Sequence, residues 1–265
     1  MAPNSPDTPL HPLPEVRTLG VVSFLNARPL WRTLARREGL AIRPTVPSRL
    51  AGMLANARCD VAMIPVVDHW MARRRLVRVS DACIACDGET MTVRVFSRVP
   101  PQDIQRLHVD ADSHTSVVLA KTIWREMHGR RLEIIQQPSG ETPDDVEALL
   151  LIGDKVITAA PSGFAYQTDL GAAWKELTGL PFVFAAWYGK RDHNHGTLAR
   201  ILEEARDVGV TMIDQIAAEE APRHGWPRET ALKYLRDHMR YTITPAMRAG
   251  MDRFFTLVHE HDLLE

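Results

Sequence analysis

The residues best suited to chemistry stand where apolar runs end. Leu19, Val21 and Val22 give way to Ser23-Phe24-Leu25-Asn26, and Pro29 then suits the first turn of a helix. A second junction follows the apolar stretch at 107–110, where Ser113-His114-Thr115-Ser116 precede a helical pattern. A helix start presents unpaired N–H groups and a partial positive charge, so each junction is a place for an anion. Two junctions far apart in sequence predict one ligand with two acidic groups, gripped from two sides. Asn26 reads either as a cap or turn residue or as a positioner, since an amide orients a ligand without acting as an ordinary base. Ser113, Thr115 and Ser116 read as first-turn polar residues or as a carboxylate cradle, with His114 facing solvent. Gly153-Asp154 closes a buried strand, and Asp87-Gly88 either turns the chain or lets the backbone approach a ligand closely.

Other patterns fail as sites. Cys83 and Cys86 have CxxC spacing, but no second pair completes a zinc site and no helix follows for redox use. With Cys59 they make three cysteines, which fits a reducing compartment and small buried side chains. His193-Asn194-His195 has no partner motif, and His259-Glu260-His261-Asp262 reads as solvated at the chain end. Arg73-Arg74-Arg75 suits a helix C-terminus and is too narrow for nucleic acid. No metal and no cofactor is expected.

Composition sets the frame for these residues. The 265 residues are 45% apolar and 25% charged, and 32 Lys and Arg balance 33 Asp and Glu to a net charge near −1. Such a balance gives no global attraction to nucleic acid or membrane, so recognition of a charged ligand must be local. No apolar stretch approaches a membrane span. Residues 1–15 hold five prolines and no Lys or Arg, which predicts a disordered leader rather than a secretory signal and hence a cytoplasmic protein. Oligomeric state stays open between monomer and homodimer.

The elements that must position the site alternate. Strands are expected at 19–22, 41–46 and 61–64, with helices at 29–37 and from Ser48 between them, the order of an α/β sheet with crossovers. After a strand at 92–96 and a break at Val99-Pro100-Pro101, a second set follows. It comprises strands near 107–109 and 132–135, a helix at 115–127, another at 143–149 and a strand at 150–152. An apolar run at 181–187 returns toward the first unit, and helices fill 198–209, 211–220, 227–238 and 245–259. The division predicted is a leader at 1–15, one lobe from 16–96 plus 187–265, and a second lobe inserted at 97–186. Clefts at the carboxyl ends of such strands bind ligands.

Six blocks stand in order: SFLNARPL from Ser23, VPSRLAGMLANARCDVAMIPV from Val46, CDGETMTVRVFS from Cys86, SHTSVVLAKTIWRE from Ser113, ALLLIGDKVI from Ala148 and DLGAAWKELTGLPFVFAAWY from Asp169. Together they resemble the chorismate dehydratases of the futalosine route to menaquinone, from about Val16 to the chain end. The resemblance implies an α/β fold of two lobes, similar to type II periplasmic binding proteins, with a helical C-terminal tail. It implies a lyase that removes water from chorismate, a dicarboxylate, to give 3-[(1-carboxyvinyl)oxy]benzoate without a cofactor. It also implies that Asn26 faces the ligand, and that Gly153 and Asp154 line the cleft wall, Asp154 holding the departing hydroxyl or serving as base; the resemblance equally permits the substrate's own enolpyruvyl carboxylate, fixed near the ring by Asn26, as the base. Ser23, Asp87, Gly88, Ser113, Thr115 and Ser116 are the remaining expected contacts. The alternatives are a non-catalytic sensor of a carboxylated metabolite and the naphthoate-forming enzyme of the same pathway.

Overall fold

Short, wholly apolar strands determine the architecture, because only a sheet covered on both faces can hold them. The computed structural model describes residues 15–110, 112, 114–137 and 146–264. Ser113, residues 138–145 and all of the proline-rich leader but Glu15 lie outside the described residues. β1 (Arg17–Val22) pairs in parallel with β2 (Leu40–Thr45) and β3 (Val61–Pro65), and every residue of β3 is buried. β4 (Leu76–Cys86), β10 (Phe182–Lys190) and β11 (Met239–Thr242) extend this sheet antiparallel, in the order β11-β4-β10-β3-β1-β2. The second sheet runs β7-β6-β8-β5-β9. Its strands are β5 (Val93–Ser97), β6 (Arg106–Asp110), β7 (Glu133–Gln137), β8 (Ala148–Ile152) and β9 (Tyr166–Asp169).

Strand pairing departs from the expected division at two strands. β5 ladders with β8 and β9, and β10 lies wholly in the first sheet. The chain therefore changes sheet in the loops after Cys86 and before Phe182, not within strands. A strand interior cannot leave its ladder without orphaning backbone N–H and C=O groups.

Helices cover the faces. α1 (Arg28–Trp31) is four residues long, preceded by a 3-10 turn at Leu25–Ala27 and followed by another at Leu34–Arg36. The single helix expected at 29–37 is thus broken into fragments, because Leu25, Leu30, Trp31 and Leu34 must all reach one core over a short connection. α2 (Pro47–Ala55), α3 (Val66–Ala72), α4 (His114–His128), α5 (Lys155–Thr158) and α6 (Leu170–Thr178) follow. The helix expected at 143–149 falls partly outside the described residues, and Ala148 and Leu149 belong to β8, whose five residues are all buried. The tail comprises α7 (Gly196–Thr211), α8 (Ile213–Glu220), α9 (Arg228–Lys233), a π-helical turn at Tyr234–His238, and α10 (Pro245–Glu260).

Packing fixes several glycines. A Cβ on Gly209 of α7 would stand 1.7 Å from the Pro29 carbonyl oxygen, so α1 and α7 meet backbone to backbone. The tail also ties to the second sheet: Lys121 of α4 donates to the Leu263 carbonyl, and His261 bonds Glu126. The pair at the chain end is therefore a strap and not a solvated terminus. Cys83 and Cys86 lie inside β4, buried and unpaired, with burial pushing both thiols well up. No helix among the described residues is long and apolar enough to cross a membrane.

The sheets are joined across one side of the cleft at α3 and α4. Val67 N–H donates to Thr115 Oγ1 at 3.3 Å, and His114 Nδ1 meets Asp68 Oδ1 at 2.7 Å. His114 is half-exposed, as expected, yet it is bonded rather than free in solvent. Its hydrogen bond with Asp68 raises its pKa above 6.5, with burial opposing in part.

Two outcomes test this packing. Gly209→Ala should lose about 2–3 kcal/mol in urea unfolding, since a backbone carbonyl cannot yield to the added methyl. A histidine with a raised folded pKa stabilises fully below about pH 6.5, and that share disappears as pH rises through the raised value. Unfolding titrations should show this pH-dependent share in the parent chain and its absence in His114→Ala. An unchanged pH slope in the variant removes the assignment.

Candidate active site

Between the two sheets lies a small cavity of about 50 Å³. Its walls are largely apolar, with Val22 and Phe24 from the first sheet side, Ile84 and Phe184 from β4 and β10, and Ile152 from β8. Polar groups are few and convergent: Asn26, Thr90, Thr92, Thr115, Ser116 and Tyr234.

Each polar group is positioned by a local device. Asn26 rides the 3-10 turn after β1, and its Oδ1 is buried with no hydrogen-bond partner. A buried orphan acceptor costs about 1–3 kcal/mol, which a ligand donor recovers. Thr115 and Ser116, both buried, sit in the first turn of the 15-residue α4, which carries no acidic residue there. That helix start offers an anion its dipole, worth roughly 0.3–1 kcal/mol and up to ~2 in a partly buried setting. Tyr234 begins the π-helical turn, and its hydroxyl lies 2.6 Å from Thr92 Oγ1. Burial pushes the phenol well above its ordinary pKa, and the Thr92 hydroxyl and Asn26 amide only partly offset this. It stays protonated and serves as a neutral hydrogen-bonding group.

The crossover before β5 has its own anchor. Asp169 caps α6 through Gly171 and Ala172 N–H, and also accepts from Thr90 N–H and Met91 N–H. One carboxylate thus fixes both the helix start and the segment that delivers Thr90 and Thr92 to the cavity.

Asp154 follows Gly153, a cavity residue with φ +69 whose added Cβ would come 2.7 Å from the Phe24 ring. The Asp154 carboxylate does not face open space. Oδ1 accepts from Leu25 N–H at 3.3 Å and Trp226 Nε1–H at 3.2 Å, and Oδ2 meets His224 Nδ1 at 2.6 Å. The anion at the first strand-to-turn junction is therefore the protein's own. No acidic residue stands in the first turn of α4, so the two junctions are not alike, which revises the symmetric two-terminus picture.

Of the expected residues, the structure brings Asn26, Thr115, Ser116 and Gly153 together around the cavity. Ser113 lies outside the described residues. Ser23 continues the β1–β2 ladder through its N–H to Thr45 and does not line the cavity. Asp87 pairs with Lys175 at 2.6 Å at the surface, and the Gly88 carbonyl packs where a Cβ on Gly171 would sit, so this turn serves packing. Tyr234, Thr92 and Asp169 were missed. Among the described residues no cluster of metal-ligating side chains occurs.

Comparison with known proteins fits this geometry. A curated chorismate dehydratase of Thermus thermophilus is 27% identical over 255 residues, spanning 89% of this chain and 93% of that protein. A 1,4-dihydroxy-6-naphtoate synthase of the same organism is 29% identical over 154 residues, 54% of this chain and 49% of its own length. The periplasmic aliphatic sulphonate binding protein SsuA of Escherichia coli superposes with a TM-score of 0.64 at 13% identity, covering 95% of this chain and 89% of that one. The fold is thus the two-lobed α/β type of the periplasmic binding proteins. Residues 17–260 match the family described as menaquinone biosynthesis, and the chain belongs to that family.

Proposed function

We propose that this chain is a hydro-lyase that converts chorismate to 3-[(1-carboxyvinyl)oxy]benzoate and water. The observation that carries the reading is the cavity itself. It pairs largely apolar walls with a helix start and one orphan amide oxygen, in a chain related along its length to a curated chorismate dehydratase.

The reaction breaks one ring C–H bond and the neighbouring C–O bond, and the electrons close an aromatic ring. No oxidant or reductant is consumed. The ring carboxylate sits at the α4 start, where Thr115 and Ser116 and the helix dipole stabilise charge spreading onto it as the proton leaves. Asn26 holds the other half of the ligand: its amide donates to the enolpyruvyl carboxylate, and its unpaired Oδ1 accepts from the ring hydroxyl. Tyr234 and Thr92 supply neutral hydrogen bonds at the same wall. Fixed in this pose, the enolpyruvyl carboxylate of the substrate takes the ring proton and delivers it to the departing hydroxyl, which leaves as water, and orientation supplies much of the rate.

Asp154, already bonded to three donors, acts in this scheme as a scaffold rather than as the base. The naphthoate-forming alternative finds less support, because that match spans only about half of either chain. A sensor shares the cleft but not turnover.

Incubating the purified protein with chorismate should yield the aromatic ether acid, followed by its ultraviolet spectrum and mass. Asn26→Ala should lose about 10²–10³-fold in kcat, whereas Asp154→Asn should stay within about tenfold. Tight chorismate binding with no product overturns the enzyme reading. A loss of about 10³-fold or more in Asp154→Asn with unchanged binding reassigns the base to Asp154.

A further inference from the structure

We infer that His224, with Trp226, is a positioning residue that sets the orientation of Asn26 through Asp154 and Arg28. The inference rests on the reading of the cavity as the chorismate site and deepens it.

The turn carrying Asn26 is poorly held by its own chain. It is one 3-10 turn followed by a four-residue helix, and neither Phe24 nor Ala27 makes a side-chain cap. So short a helix does not sustain itself. The Asn26 Oδ1 has no protein partner, and the side chain's own bond is to Tyr234, which the tail segment braces in turn. What fixes the turn lies on both sides of Asn26. On one side Leu25 N–H is bound by Asp154. On the other, Arg28 is bound by the segment between α8 and α9: Nη2 lies 3.2 Å from His224 Nε2, and Nε lies 3.1 Å from Glu220 Oε2. His224 closes the loop, since its Nδ1 meets Asp154 Oδ2 at 2.6 Å.

The chemistry of the partners dictates the form of the ring. A guanidinium only donates, so Nε2 of His224 accepts, and Nδ1 carries the hydrogen given to Asp154. Glu220 Oε2 stands 3.8 Å from Nε2, beyond hydrogen-bond reach, and is nearer to Arg28 Nε at 3.1 Å. The imidazole is thus a neutral, directional link between a carboxylate of the second sheet and the turn of the first. Trp226 adds a second link. Its indole donates to Asp154 and its ring stacks on Tyr234 at 5.0 Å, so the same short segment also braces the cavity phenol.

Leucine at 224 removes both links at similar volume, whereas glutamine keeps one donor and one acceptor. His224→Leu should lower kcat on chorismate about 10–100-fold with KM changed less than about threefold, and His224→Gln should recover most of it. Equal kcat in the parent and His224→Leu, or equal losses in the Leu and Gln variants, overturns the inference. If His224→Leu does not fold, Trp226→Phe keeps the stack and deletes only the N–H; it should lower kcat several-fold, and an unchanged kcat counts against the inference. A measurement independent of turnover separates this from the reading of the site. Nitrogen-15 NMR of the histidine-labelled full chain should show His224 protonated at Nδ1 and bare at Nε2. The opposite tautomer, or a doubly protonated ring at neutral pH, refutes the link even if chorismate is dehydrated. Failure of the parent chain to turn over chorismate, with this tautomer present, refutes the site reading instead.

Discussion

The arrangement depends on how one carboxylate is received. Asp154 leaves the end of β8 and takes a backbone N–H from the first sheet's turn, an indole N–H and an imidazole from the tail. Three segments distant in sequence therefore meet at two oxygen atoms, at an edge of the cavity. A carboxylate in a part-buried place is costly unless its lone pairs are used, and here three donors use them. The same contacts that satisfy the charge determine where Phe24, Leu25 and Asn26 stand relative to Gly153. Packing reinforces this, because a side chain at 153 would collide with the Phe24 ring.

Charge elsewhere obeys a related economy. Glu220 is almost wholly buried, yet three arginines surround it. Asp169 spends its oxygens on helix and crossover amides. With these buried carboxylates matched locally, little stray field reaches the cavity from them. The α4 start has no acidic residue in its first turn, although Asp68 of α3 bonds its His114, and it presents a fixed positive end toward the cavity. A chain of net charge near −1 can in this way hold an anion without any basic surface to attract it.

How much of this was legible in the sequence differs by element. β1, β3 and α4 were legible, because apolar runs and helical spacing are local signals and burial enforced them. The first helix was not, since its residues answer to a core on several sides rather than to one face. The crossing strands were placed to within a few residues but divided between the lobes differently from their pairing, because β-ladder partners lie far away in sequence. Four of the nine expected site residues line the cavity, and all four lie at strand or helix ends where backbone geometry is written in residue type. Asp87-Gly88 shows how far such a signal goes: it says that the chain bends, not toward what. His224, Trp226 and Tyr234 carry no local signal at all, because their roles exist only once the tail folds back across both sheets.

The amide at position 26 follows from Asp154. A carboxylate there would stand one residue from the amide that Asp154 already occupies, inside a largely apolar cavity. Its charged form would be penalised by burial and by a neighbouring anion, and it would repel both acid groups of the proposed substrate. A lysine would reverse that penalty but would draw the Asp154 carboxylate away from Leu25, His224 and Trp226. An amide offers donors and an acceptor with no net charge, so it grips a ligand carboxylate and a hydroxyl together while leaving the Asp154 contacts undisturbed. The polarity of the catalytic wall is thereby limited by the scaffold behind it. This is why, in the proposed mechanism, the proton passes to the substrate's own carboxylate and not to a charged side chain of the protein.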